Sequence, residues 1–114
     1  MDKECIFCRI INGDMRATFV HRDADVVAIQ DINPQAPVHL LVMPRTHIPR
    51  VLDLKPDHSS IVGRIFTVAA ALAREWKLDD GFRLVVNNGP QAGQSVEHLH
   101  VHLIGGRGMK WPPG

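Results

Sequence analysis

Three histidines at alternate positions constrain this chain more than any other feature: His98-Leu99-His100-Val101-His102-Leu103-Ile104. Successive side chains of an extended strand point to opposite faces. The pattern therefore predicts a strand over 98–104 with His98, His100 and His102 on one face and Leu99, Val101 and Leu103 on the other. The apolar face belongs in a core, and the imidazole face looks at a cleft or a ligand. Just upstream, the run from Asn87 to Ser95 holds Gly89 and Gly93 in a loop suited to close backbone approach by an anion. Same-side imidazoles beside such a loop point to chemistry at phosphorus. On the residues alone two versions stand. One is a zinc site, since imidazoles at i and i+2 can chelate from a strand. The other is a histidine nucleophile with two supporting imidazoles; a polar face turned to water is the bland alternative.

The rest of the chain supplies the frame. Cys5 to Asn12 reads as a short helix stopped by Gly13. Thr18–His21 and Val26–Ile29 read as strands joined by a turn at Asp23-Ala24-Asp25, with His21 on the solvent side. His39 to Met43 is an apolar run between prolines, consistent with a central strand, and Pro44 and Pro49 bracket a loop carrying Arg45, Thr46 and His47. Pro56 and Asp57 open the strongest helix signal, which runs to about Lys77 and is ended by Asp79-Asp80-Gly81. Ile61, Ile65, Val68, Ala69, Leu72 and Trp76 recur at helical spacing as one core-facing stripe, with His58 exposed in the first turn. Phe82–Asn87 is the next strand. Five strands, one long helix and one short helix, joined by short links, predict an α+β fold with an antiparallel sheet.

Composition excludes more than it selects. At 114 residues the chain is read as one domain, 1–114, able to bury roughly two-thirds of its unfolded surface. A formal net charge of +1 gives no electrostatic footprint for a polynucleotide, although a small anionic ligand needs only a local site. No apolar run approaches the roughly 20 residues of a membrane-spanning helix, and Met1-Asp2-Lys3-Glu4 lacks the layout of a signal peptide. The expected location is cytoplasmic. The only cysteines form Cys5-Ile6-Phe7-Cys8, which in a reducing compartment favours metal binding or redox chemistry over a structural disulfide. A thioredoxin-like role wants a strand before the pair, and no strand fits upstream of Cys5, so half of a zinc site is the sharper reading. The alternative is two small buried hydrophobes.

The run His98-Leu99-His100-Val101-His102-Leu103-Ile104 resembles the signature of the histidine triad superfamily. Gly93-Gln94-Ser95 before it and Gly105-Gly106-Arg107 after it strengthen the match. Asp31 to His39, Val42 to Ile48 and the tail Met109 to Gly114 resemble its nucleotide-binding-protein branch in particular, and the CxxC gives the chain a bacterial look. The resemblance implies a five-stranded antiparallel sheet in a homodimer, with the tail near the partner subunit's site. It implies a hydrolase of purine nucleoside 5′-phosphoramidates acting through a nucleotidyl-histidine intermediate on His100. His102 and Ser95 would face the phosphate oxygens or leaving group, and the backbone N–H groups of Gly93, Gln94 and Ser95 would cradle the phosphate. Gln94 is expected to lend its backbone more than its side chain.

Other assignments carried by the resemblance each have a plain structural alternative. Asp31 would accept from the ribose hydroxyls, or cap a turn. Asn87 would contact the ribose–phosphate side, or bond within its loop. His39 would support the triad from a neighbouring strand, or be a satisfied core histidine. Ile6, Phe7, Ile10, Ile29 and Ile32 would wall the base pocket. Cys5, Cys8, His47 and His98 resemble a closed structural zinc set, which would assign His98 to metal and leave His100 free. The functional alternatives are a dinucleoside polyphosphate hydrolase, a nucleotide-binding scaffold with incidental turnover, and a metal sensor using all three triad histidines.

Overall fold

The computed structural model describes residues 4–114; residues 1–3, read above for signal-peptide character, lie outside the described residues. The elements run α1 (Ile6–Ile11), β1 (Phe19–Arg22), β2 (Val26–Gln30), β3 (Val38–Pro44), α2 (Ser59–Glu75), β4 (Phe82–Val85) and β5 (Val101–Gly105). All five strands form one sheet in the order β1-β2-β3-β5-β4, and every pairing is antiparallel. The expected α+β fold is the observed one. No helix among the described residues is long and apolar enough to cross a membrane.

Period-two alternation divides the two faces. Val26 and Ala28 of β2, Leu40 and Val42 of β3, and Val101 and Leu103 of β5 pack beneath α2, against Ile65, Val68, Ala69 and Leu72. This is the helical stripe legible in the sequence, and truncating Leu72, 2% exposed, to Ala costs about 2–5 kcal/mol. On the opposite face Val27, Ile29, Leu41 and Met43 meet Phe7, Cys8, Ile10 and Ile11 of α1. Because both faces are covered, β3 reads as an unbroken apolar run apart from His39. In the β3–β5 register His39 lies opposite Ile104 and Leu41 opposite His102, so His39 and His102 emerge on the α1 face.

Three boundaries depart from the sequence reading. The histidine strand enters the ladder only at Val101, whose partner is Val42. Two residues past Val42 stands Pro44, which has no N–H to give, and the Leu99 N–H instead donates to the Ile48 carbonyl at 2.6 Å. The long helix stops at Glu75, before Asp79-Asp80-Gly81. Lys77 takes φ 60° and the Leu78 N–H reaches back to the Ala73 carbonyl at 2.8 Å, a Schellman closure built on lysine instead of glycine. Likewise β4 ends at Val85, short of Asn87.

The β1–β2 turn is tied by one carboxylate. Asp23 accepts the N–H groups of Asp25 and Val26 at 2.8 Å each, the Arg64 guanidinium of α2 at 2.8 Å, and His21 Nε2 at 2.6 Å. Burial alone would raise this carboxyl, but His21, the two backbone N–H groups and Arg64 together hold it well below the usual carboxylate range.

Candidate functional site

On the α1 face His98, His100 and His39 each have one ring nitrogen committed to a backbone group, and that commitment decides what the other nitrogen can do and, through His39, what His102 can do. A carbonyl can only accept, so the ring nitrogen facing it carries the proton. His98 Nε2–H donates to the Pro44 carbonyl at 2.8 Å, which leaves Nδ1 as a lone pair. His100 Nδ1–H donates to the His98 carbonyl at 2.6 Å, which leaves Nε2 as a lone pair. His39 is set the opposite way, because the Gln35 N–H donates into its Nδ1 at 3.0 Å. Its Nε2–H therefore donates to His102 Nδ1 at 2.9 Å, with Asp31 Oδ2 at 3.3 Å from the same nitrogen. His102 in turn carries its proton on Nε2.

Burial disfavours the charged form of His98, His100 and His102. It lowers His98 and His102 to about 4 and pushes His100 below its ordinary value, although the His98 carbonyl and Asp31 act on His100 in the opposite sense. Phe7 of α1 meets His100 edge-on at a centroid distance of 5.0 Å and an interplanar angle of 89°. The His100 and His102 rings lie 5.0 Å apart. His100 is thus a neutral base with an apolar wall beside it, a bonded nitrogen behind it and a hydrogen-bond donor next to it. Such a group can serve as a nucleophile toward phosphorus.

Two clusters bring metal-ligating atoms together among the described residues, and only one suits a metal. Around Cys5, Cys8, His47 and His98 the sulfur–nitrogen separations are 3.4 Å for Cys5–His98, 3.6 Å for Cys8–His98 and 3.3 Å for Cys8–His47. Tetrahedral zinc, with bonds of about 2.3 Å to sulfur and about 2.0–2.1 Å to nitrogen, sets such separations at about 3.6 Å. The His98 nitrogen that faces the sulfurs is the unprotonated one, as a ligand must be. Asp31, His39 and His102 form the other cluster. There the Gln35 N–H occupies His39 Nδ1 and forces the proton onto Nε2, the atom a metal would need.

Other residues singled out from the sequence fall as follows. Asp31 is half-buried; its Oδ1 accepts the Asn33 N–H at 2.8 Å, so it caps a turn while its Oδ2 faces His39. Asn87 is half-buried and Ser95 is exposed beside Cys5 and His47, at a cleft of about 250 Å³. Phe7, Ile10 and Ile29 are buried, whereas Ile6 is 40% and Ile32 99% exposed, so these five do not close into one enclosed wall.

The glycine loop differs from expectation. The Gly93 N–H donates to the Pro90 carbonyl and the Gln94 N–H to the Gly89 carbonyl, so both are spent inside a 3-10 turn at Pro90–Ala92 and do not point at a ligand. It is the Gln94 side chain that works: Oε1 accepts from Gly89 N–H, and Nε2 donates to the carbonyls of Pro49 and Val96. Glutamine amides staple loops in this way without leaving a sequence pattern. His58, expected to be exposed, is half-buried and its Nδ1 accepts the Lys55 N–H.

The sequence model of the HIT domain matches residues 12–109. The chain is 45% identical to the 14 kDa zinc-binding protein of Brassica juncea, over 97% of this chain and 100% of that protein. It is 44% identical to adenylylsulfatase HINT1 of Arabidopsis thaliana, over 99% of this chain and 78% of that one. The crystal structure of a HIT family hydrolase from Legionella pneumophila Philadelphia 1 superposes with a TM-score of 0.96 at 45% identity, covering 97% of this chain and 100% of that chain.

Proposed function

The chain belongs to the HIT domain family, and from that premise we propose that it hydrolyses purine nucleoside 5′-phosphoramidates through a nucleotidyl-histidine intermediate on His100. The observation that carries this reading is the 2.6 Å bond from His100 Nδ1–H to the His98 carbonyl, which leaves Nε2 unprotonated. Nε2 attacks the α-phosphorus, the P–N bond breaks, and the departing amine takes up a proton from solvent through the Ser95 hydroxyl, made good by the proton that the hydrolytic water later gives up. Water then cleaves the P–N bond to His100, releasing the nucleoside monophosphate and restoring the ring. Two displacements replace one harder one.

His102 offers its Nε2–H to the phosphoryl oxygens, where negative charge grows, and the Ser95 hydroxyl serves the leaving group. Asp31 keeps carboxylate lone pairs for the ribose hydroxyls, and Asn87 stands on the ribose–phosphate side. Ile32 and Ile6 offer exposed apolar surface to the base, with Phe7, Ile10 and Ile29 behind them. Cys5, Cys8, His47 and His98 would hold a zinc ion, which would supply a crosslink between α1, the loop after β3 and the approach to β5. The chain acts as a homodimer, supported by the edge of β4, which pairs only with β5 among the described residues. Cys5 and Cys8 are not joined in a disulfide, which suits the cytoplasm.

A second reading follows from the name of the Arabidopsis relative, an adenylylsulfatase: the same attack on phosphorus with sulfate as the leaving group. Incubating the protein with adenosine 5′-phosphoramidate and, separately, with adenylyl sulfate decides between them. Release of ammonia with AMP from the first, at the greater kcat/KM, supports the phosphoramidate reading. No turnover of either substrate, or turnover undiminished in His100→Ala, overturns it.

A further inference from the structure

His98 faces two ways. Its ring nitrogen Nδ1 turns to the sulfurs of Cys5 and Cys8, while its carbonyl accepts the His100 Nδ1–H. We infer that metal held by Cys5, Cys8, His47 and His98 orients His100, so that the cluster positions the nucleophile in addition to crosslinking the chain. The inference rests on the metal and nucleophile roles proposed above.

The His98 carbonyl is not fixed by the sheet. The β3–β5 ladder begins at Val101, and residues 98–100 lie outside it. What holds this segment is the His98 ring, pinned at Nε2 by the Pro44 carbonyl at 2.8 Å and at Nδ1 by the cysteines, together with the Leu99 N–H on the Ile48 carbonyl. Release of Nδ1 frees one of the two ends that fix the ring. A rotation there carries the adjoining peptide, and with it the acceptor that sets the tautomer and aim of His100.

A second connection runs through α1. This helix has six residues, too few to stand alone, and its N-cap is Cys5, whose sulfur accepts the Cys8 N–H at 3.3 Å. Phe7, between the two cysteines, packs edge-on against His98 at 5.9 Å and against His100 at 5.0 Å. The cysteines therefore hold both the helix and the wall that fixes one side of the nucleophile. A cleft lined by Cys5, His47 and Ser95 lies on the open side of the cluster.

The test compares the full chain loaded with zinc and stripped with a chelator, following the ring nitrogens of His100 by NMR. Expected is a fixed Nδ1–H tautomer with zinc and an exchange-averaged signal without it, reversed when zinc is restored. Turnover of adenosine 5′-phosphoramidate falls about 10–100-fold in parallel, kcat moving more than KM. An unchanged His100 signal in protein shown by elemental analysis to have lost its metal overturns the inference, as does a wild type that binds no zinc. His47→Asn covers the case in which stripping unfolds the chain. As zinc is titrated into that variant, the His100 signal follows occupancy with a shared midpoint; separate midpoints overturn the coupling. A zinc-dependent His100 signal without phosphoramidate turnover supports the coupling and overturns the proposed function. Turnover that needs His100 and ignores zinc does the reverse.

Discussion

His39 Nε2 lies 2.9 Å from His102 Nδ1, joining adjacent strands β3 and β5 through two ring nitrogens. Because the Gln35 N–H fills the far side of the His39 ring, the proton in this bond belongs to His39, and His102 is left with its own proton on Nε2. His39→Leu removes that constraint while keeping the site buried and apolar. Turnover falls about 10–100-fold, as for other residues that orient an acting imidazole. Leaving His102 Nδ1 without its donor lowers stability by about 1–3 kcal/mol, read from denaturant titration. A variant with wild-type kcat removes His39 from the site.

His100→Ala removes the attacking nitrogen with its ring and leaves the other proposed binding residues in place. The expected loss in kcat is at least about a thousandfold, the scale seen when a nucleophile is deleted. Affinity for a nucleoside monophosphate, measured by calorimetry, stays within about tenfold. Mass spectrometry of wild type quenched during turnover shows a nucleotidyl adduct, and the variant shows none.

Burial lowers the pKa of His100, and the ring works as a nucleophile only when neutral. The acid limb of kcat/KM against pH therefore lies below the ordinary 6.5 of imidazole. Stability follows the same sign. His102 is lowered to about 4 on folding, so between 6.5 and about 4 the unfolded chain binds more protons than the folded one. Stability is complete above pH 6.5 and declines as pH falls toward 4. A rate profile that bends at or above 6.5 contradicts the burial argument.

Asp23→Asn tests the staple at the β1–β2 turn. The wild-type carboxylate is held well below its usual range, so its contribution is present above about pH 4 and fades as pH falls through the lowered value. The variant keeps the shape of the side chain and loses its charge toward Arg64 and His21. Urea titration at pH 7 shows a loss of about 1 kcal/mol, in the range of a lost side-chain cap. Below pH 4 the two proteins converge.

What the sequence disclosed and what it hid divide along one physical line. Alternation and helical spacing are repeated signals, so the five strands, the α2 stripe and the shared face of His100 and His102 are legible in the sequence itself. Ends depend on single hydrogen bonds. The absence of an N–H at Pro44 and the Leu99–Ile48 bond shortened the histidine strand, and Lys77 in a left-handed conformation closed α2 early. Roles carried by backbone groups were hidden for the same reason: nothing in the identity of Gln35 announces that its N–H sets the proton on His39. Gly89 and Gly93 suggested open N–H groups, but the Gly93 N–H is used by the turn itself and the Gly89 N–H by the Gln94 side chain. The tertiary proximity of Cys5 and Cys8 to His47 and His98 had no local signature beyond the CxxC, and came from likeness to the family.

Removing the metal tests the remaining set. Cys5, Cys8 and His98 are buried, and they join α1 to a segment some ninety residues away. An ion that binds this arrangement and not the unfolded chain stabilises it by RT ln(1 + [L]/Kd), about 4 kcal/mol at a thousandfold excess over Kd. For a domain of this size that corresponds to a rise of roughly 15 °C or more in the thermal midpoint. Elemental analysis of wild type therefore gives one zinc per chain, and a chelator lowers the melting temperature by that order. Cys8→Ala melts near the chelated value and no longer responds to zinc. His39→Leu, which leaves the four ligands untouched, keeps the full zinc response. If wild type melts at one temperature with and without chelator, the four side chains are a packed polar cluster and no metal centre.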